Sequence, residues 1–142
     1  MSPSMAMDFD ALRSGCGGGV TGGSSGVLLS RDGRLWGWKR DSAGSAIKLG
    51  PVIGVDAAAA TRLFGQALSE EFKLIRYRQM GSRTCWVQIS GLGDSAVVEA
   101  PRHGVYWTDP QNAPALALGL FEALEKLRRD LTAVPAGHYT PK

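Results

Sequence analysis

The sequence predicts an α+β domain with the element order β-β-α-β-β-α. Two helices are expected to pack on one face of a four- to five-stranded antiparallel sheet. Three observations predict this fold: a hairpin pattern in the first third, two segments with apolar residues at helical spacing, and strand-like runs between those segments. The chain has 142 residues, of which 44% are hydrophobic, enough for one core without metal or disulfide staples.

One domain over 15–131 is expected, after a loosely ordered lead-in over 1–14 and before a mobile tail over 132–142. Residues 15–26 include seven glycines. This composition predicts either a flexible loop or a strand kept bare for the close approach of another backbone. A Gly-x-Gly-x-x-Gly pattern occurs over 17–22, but no strand precedes it and no helix follows it, so we do not predict nucleotide binding.

A β-hairpin over 26–40 is the clearest local prediction. Two apolar runs flank Asp32-Gly33, which supplies the positive φ that tight hairpin turns need. Trp36 and Trp38 lie two residues apart in the second run, so both indoles are expected on the same face of that strand.

Two helices are expected. Asp56 is a good N-cap for a helix over 56–69, in which leucine, phenylalanine and alanine recur at helical spacing. The second helix is predicted over 114–131 from a continuous leucine-rich stripe, and Pro114 suits its first turn.

Further strands are expected over 84–90, 95–99 and 105–107. A proline between the last two runs is typical of an edge strand or a bulge. The segment 72–78 is expected to be a strand or an irregular return, and 41–55 a loop rich in glycine.

The net charge of +3 is too small to predict nucleic-acid binding, and we expect no nucleic-acid partner. Four cations lie close together in the sequence and form a basic cluster: Lys73, Arg76, Arg78 and Arg83. We expect this cluster to lie at a solvated edge of the sheet, where its charges discourage aggregation. No run approaches the roughly 18 apolar residues of a membrane span, so no membrane association is expected.

The two cysteines give no disulfide framework and no zinc-site pattern, which predicts a reducing, cytoplasmic location. We expect no metal site and no cofactor. Cys85 alternates with Val87 and Ile89 and is expected to be a small core residue. A cysteine enzyme that uses Cys85 with His103 remains an alternative, since the second hairpin could bring the two together.

Four tryptophans fall on predicted strands: Trp36, Trp38, Trp86 and Trp107. If the helices cover one sheet face, some indoles must lie on the other. An uncovered aromatic patch beside Arg34 and Arg40 would be a binding surface, because tryptophan and arginine are enriched at interface hot spots. The alternative is that the indoles fill the core.

The run Gly18-Gly19-Val20-Thr21-Gly22-Gly23, followed by Asp32-Gly33-Arg34-Leu35, resembles the start of small, mostly uncharacterised bacterial GG-x-x-GG hairpin proteins. Trp107-Thr108-Asp109 and the leucines over 116–127 are similar in place and type to those proteins. More distantly, the chain is similar to emfourin-type inhibitors of thermolysin-like metallopeptidases. That resemblance implies a compact protein that docks on another protein and has no active site. Val20 replaces an aromatic residue of those inhibitors, so no inhibitory residues are carried over.

Together these features predict a non-enzymatic protein-interaction module, a subunit or adaptor of a bacterial protein complex. It would bind through an aromatic and arginine sheet face or through an exposed strand edge. The expected partner-binding residues are Trp36, Trp38, Arg34, Arg40, Gly22 and Gly23. The alternatives are an inhibitor or regulator of a thermolysin-like metallopeptidase and the small cysteine enzyme.

Overall fold

The structure of the protein is a computed structural model that describes residues 10–18, 22–42, 45–92 and 98–139. The strands are β1 Asp10–Gly18, β2 Ser24–Ser30, β3 Arg34–Arg40, β4 Lys48–Val55, β5 Arg83–Leu92 and β6 Val98–Trp107. The helices are α1 Ala57–Ala67, α2 Glu70–Lys73 and α3 Ala115–Tyr139, with a 3-10 turn over Pro110–Asn112 before α3.

The strands form one antiparallel sheet in the order β4-β3-β2-β1-β5-β6. The predicted α+β class and the antiparallel sheet are therefore confirmed. The described residues form six strands and three helices, whereas four to five strands and two helices were predicted. β1, the first of the described strands, lies in the middle of the sheet, between β2 and β5.

The two strands that the sequence did not predict are β1 and β4. β1 crosses the boundary expected at residue 14 and enters the glycine-rich stretch, of which 19–21 lie outside the described residues, as do 1–9 of the lead-in. β4 lies in the segment predicted as a loop, 41–55. Both strands are rich in glycine, and β4 also contains Pro51, so neither has the period-2 apolar pattern of a half-buried strand.

Three further segments differ from the prediction. The segment over 72–78 begins within the short helix α2 and then meets β6 through a single bridge at Arg78. β6 is one continuous strand with a shift in its pairing to β5 near Pro101. Residues 95–97 of the predicted strand lie outside the described residues. α3 extends to Tyr139, into the segment predicted as a mobile tail, while residues 140–142 are outside the described residues.

The helices pack on one face of the sheet. The strands contribute to this core Leu12, Val27, Leu29, Leu35, Val87, Ile89, Val105 and Trp107. The helices contribute Leu63, Phe64, Phe72, Ala117, Leu120 and Leu124. The Asp56 carboxylate accepts a hydrogen bond from the Ala59 N–H at 3.0 Å, as the predicted N-cap of α1. Trp107 is 1% exposed and packs edge-on against Phe121, so this indole belongs to the core.

A disulfide joins Cys16 to Cys85, which face each other on β1 and β5. The expectation that the cysteines form no disulfide is wrong, because residues 1–14 were expected to be a loose lead-in and nothing in the sequence placed Cys16 on a strand beside Cys85. The bond links positions 69 residues apart. A link closing a loop of this size typically adds about 2–4 kcal/mol to the free energy of unfolding.

The glycines of β1 and β2 allow two backbones and one indole to come close together. A Cβ at Gly26 would overlap the carbonyl oxygen of Ser14, and a Cβ at Gly15 would overlap the ring of Trp38. Of the two predictions for this stretch, the strand kept bare for close approach is therefore confirmed at these positions.

We expect Gly26→Ala to lower the free energy of unfolding by at least about 2 kcal/mol, because the added methyl group meets backbone that cannot move aside. Gly119→Ala in α3 is the matched control. It adds the same methyl group where no atom outside its own turn of helix lies within 4 Å, and it should raise stability by about 0.5–1 kcal/mol. Chemical denaturation of both variants measures the two effects, and equal losses would contradict this account of Gly26.

Candidate functional site

The face of the sheet turned away from α1 and α3, here called the helix-free face, carries a row of aromatic side chains. Pairing between strands aligns five residues across the sheet: Trp38, Gly26, Gly15, Trp86 and Tyr106. Trp38 lies over the two glycines, so its ring centroid is only 6.1 Å from that of Trp86. Trp86 lies 6.3 Å from Tyr106. The row therefore runs from β3 to β6.

Trp36 and Trp38 lie on this face, as their spacing predicts, but they are only 5% and 3% exposed. The Trp38 Nε1–H donates to the carbonyl oxygen of Ser14 at 2.9 Å. Both indoles pack with Leu28 and Leu92 in a second, smaller core. The prediction that they form an exposed contact patch is therefore wrong, because the bare glycines beneath Trp38 let it sink onto the sheet.

The glycine-rich segment is not an exposed edge. Gly22 and Gly23 lie between β1 and β2, and the Gly18 N–H donates to the Gly23 carbonyl at 3.1 Å. Both strands are interior, because β5 pairs with the other side of β1. The sheet ends at β4 and β6 instead.

Arginines stack on the aromatic rings of the helix-free face. The guanidinium carbon of Arg13 lies 4.6 Å from the Trp38 ring centroid. Arg34 lies 5.0 Å from that of Trp36, and Arg78 lies 4.4 Å from that of Tyr106. Arg34 also pairs with Asp32 at 3.0 Å, so its charge is balanced locally. Arg40 is half-buried at the end of β3.

Arg13 is the most constrained of these cations. It is 4% exposed, and its Nη2 donates to Gln88 Oε1 at 2.6 Å. The Gln88 amide nitrogen in turn donates to the Tyr106 hydroxyl at 2.7 Å. Burial, followed by repulsion from Arg40, lowers the pKa of Arg13 from its usual value to about 10. No carboxylate pairs with Arg13 among the described residues.

Sequence reasoning did not identify Arg13 as a site residue, because it lies within the predicted lead-in. Its position becomes readable only once β1 is known to be a strand. Ala11, Arg13 and Gly15 then share the helix-free face, and Leu12 lies on the other.

The side chains of the predicted basic cluster do not act together, because they make different contacts in the structure. Arg76 donates to the carbonyl oxygens of Lys73 and Ile75 at 2.6 and 3.2 Å. Arg78 stacks on Tyr106, and Arg83 is exposed at the start of β5. Among these cations, only Arg78 has a described contact on the helix-free face.

Cys85 and His103 do not come together. Cys85 pairs in register with Trp107, whereas His103 pairs with Ile89, four residues away along β5 and thus roughly 13 Å at about 3.3 Å per residue. The His103 Nε2 lies 3.0 Å from the Phe72 carbonyl oxygen, and the Cys85 sulfur is bonded to Cys16. The arrangement supplies neither a thiolate nor a nearby base.

A concave region of about 360 Å³ lies beside β3 and β4, with Lys39, Lys48 and Arg128 among its lining residues. Two of these three charges are compensated. Lys48 pairs with Asp41 at 3.1 Å, a hydrogen bond that lowers the pKa of that carboxyl, and Arg128 pairs with Glu125. The helix-free face therefore holds the cations with fewer compensating charges.

No group of three or more histidine, cysteine, aspartate or glutamate side chains within the described ranges could hold a metal ion. None of the helices in the described part of the chain is long and apolar enough to cross a membrane.

No protein-family model matches the chain, and no curated protein is significantly similar to it. Both resemblances therefore stay predictions.

We expect Arg13→Met to raise the free energy of unfolding by about 1–3 kcal/mol, because it removes a buried charge that has no described counter-charge. Arg83→Met, at an exposed position, is the control and should stay within about 0.5 kcal/mol of the wild type. Denaturation curves of the three proteins give these differences.

The difference in the free energy of unfolding between the wild type and Arg13→Met depends on pH. Above about pH 10 the folded Arg13 loses its proton, while the unfolded Arg13, whose pKa is higher because the side chain is fully hydrated, keeps it. The wild type therefore gains stability, and its deficit against Arg13→Met should be constant below about pH 10 and shrink above it. A deficit that stays constant up to pH 11 would contradict the buried-charge account.

Proposed function

We propose that the chain is a non-enzymatic protein-interaction module that binds an acidic protein partner through the helix-free face. The observation that carries the proposal is the cationic and aromatic composition of this face. Arg13, Arg40 and Arg78 have no carboxylate partner among the described residues. Arg78 stacks on the half-buried ring of Tyr106, and Arg13 stacks on Trp38, whose ring centroid lies 6.1 Å from that of half-buried Trp86. Arginine and tryptophan are the side chains most enriched at interface hot spots.

The contact residues in this proposal differ from those that the sequence predicted. Trp36 and Trp38 act beneath the surface, where they support the face, while Trp86 and Tyr106 would supply apolar contact area. Arg40 keeps its predicted role. The exposed Arg78 would steer an acidic partner, because charges at an interface rim act mainly on the association rate.

Binding by strand addition at a sheet edge has less support. β4 contains Pro51 and two register shifts against β3, and both features blunt an edge. At the other end, Gln79 donates its backbone N–H to the Tyr106 carbonyl oxygen, and Tyr77 accepts from the Tyr106 N–H. Part of the β6 edge is thus already paired.

We expect Arg78→Glu to weaken capture of the partner at least about tenfold, or about 1.4 kcal/mol, because it places a negative charge against an acidic surface. Arg62→Glu on the exposed side of α1 is the control, since it makes the same charge change on the helix side of the sheet. The measurement is quantitative affinity purification of the tagged chains from the host at low salt.

Equal capture by the two variants would rule out the helix-free face as the contact surface. Recovery of the wild-type chain without any stoichiometric partner would contradict the module itself. A partner that is a second copy of this chain would identify the complex as a homo-oligomer.

The cytoplasmic location is a separate proposal, and the disulfide weighs against it. Disulfides persist in oxidising compartments and are rare in the cytoplasm. The state of Cys16 and Cys85 in the host can be measured by alkylating intact cells and counting modified thiols by mass spectrometry. Two modified thiols are expected from a cytoplasmic protein, whereas none would contradict that location.

A further inference from the structure

Four buried N–H groups on the helix-free face have no hydrogen-bond acceptor among the described residues. They are Nε and Nη1 of Arg13, Nε of Arg40 and Nε1 of Trp86. All four are donors, and two of the three side chains are cationic. A cluster of this kind is costly to bury, because each group loses its hydration and gains nothing in return.

The surrounding side chains hold this cluster in place. The Tyr106 hydroxyl accepts a hydrogen bond from the Gln88 amide nitrogen, which orients the Gln88 oxygen toward Arg13. The Trp38 ring lies against the Arg13 guanidinium. Arg13 is thus fixed on two sides by neutral groups, while its Nε and Nη1 remain unused.

The cluster lies close to the protein surface. Arg40, Trp86 and Tyr106 are each half-buried, so the side chains around the donors are in contact with solvent. Arg40 follows Trp38 by two residues on the same face of β3, Arg13 stacks on the Trp38 ring, and the charges of the two arginines oppose each other. A single anion between them would turn that repulsion into two attractions.

We propose that Arg13, Arg40 and Trp86 form a binding site for a carboxylate, supplied by an acidic side chain of the partner. The inference rests on the proposed function for the source of that carboxylate. Arginine N–H groups form strong charge-assisted hydrogen bonds with carboxylate oxygens. The half-buried rings of Trp86 and Tyr106 favour an anion carried on an organic chain, because they offer contact area to the methylene groups that bear it.

The test uses the full chain labelled with ¹⁵N and a blocked hexaglutamate peptide as the probe, with blocked hexaglutamine as the neutral match. The indole N–H signal of Trp86, assigned with Trp86→Phe, reports on the site. We expect this signal to shift saturably with hexaglutamate and to stay in place with hexaglutamine. Inorganic phosphate, titrated at matched ionic strength, is the competing oxyanion.

Arg13→Met is expected to weaken hexaglutamate binding at least about tenfold, whereas Arg83→Met, which removes the same charge at the surface, should weaken it at most about twofold. Equal weakening in the two variants would show general electrostatic attraction only and overturn the site. Saturation by phosphate at a lower concentration than by hexaglutamate would overturn the carboxylate assignment.

The proposed function and this site can fail separately. If a partner is captured through the helix-free face but hexaglutamate does not move the Trp86 signal, the carboxylate site is wrong and the module remains. If hexaglutamate saturates the site but the wild-type chain captures no partner, the site remains and the module is wrong.

Discussion

The indole of Trp38 reaches past its pairing partner Gly26 to lie against Gly15, and the arrangement of the helix-free face depends on this contact. Three strand spacings of about 4.8 Å separate β3 from β5, roughly 14 Å in all. Only a large ring that lies across bare backbone can reach from one strand to Trp86 on the other. The glycines, which carry no side chain of their own, therefore make room for the aromatic row.

The aromatic row of the helix-free face also determines where the Arg13 charge lies. The Trp38 ring supplies one side of the Arg13 environment, and Gln88 supplies another. In this arrangement the guanidinium is 4% exposed and has lost most of its hydration. Under the proposed function, the stability lost by burying this charge would serve the binding of the partner. The rest of the sheet follows those rules, with an apolar core under the helices and compensated pairs such as Arg34 with Asp32.

The sequence predicts those elements in which apolar and polar side chains alternate with the period of a helix or a strand. β2, β3, β5 and α1 have clear periodicity, and Asp56 caps α1 as expected. β1 could not be found this way, because alternate glycines erase the period-2 pattern. β4 is an edge strand containing Gly50 and Pro51, and most of its residues are exposed, so no apolar alternation marks it.

The errors about the site follow from the missing strand. If β1 is not recognised as a strand, nothing in the sequence indicates that Trp38 packs on a glycine of a neighbouring strand. Trp36 and Trp38 are then expected to be exposed. Arg13 then lies in a lead-in, and Cys16 has no neighbour. With β1 in the centre of the sheet, Cys16 meets Cys85 and Arg13 meets Gln88. Whether Trp38 is buried or exposed depends on its contact with Gly15, which lies on a strand distant in sequence. The local sequence pattern around Trp38 carries no information about that contact.

The central position of the first strand has a consequence for synthesis on the ribosome. β1 to β4 are neighbours in the sheet in the same order as in the chain, so a meander over 10–55 can form as soon as it emerges. Its β1 edge then stays unpaired until β5 is translated, which takes seconds at about 5–20 residues per second. An open edge invites pairing with another chain. The nascent polypeptide, rather than the finished domain, is therefore the form of this protein most exposed to aggregation on crowded polysomes.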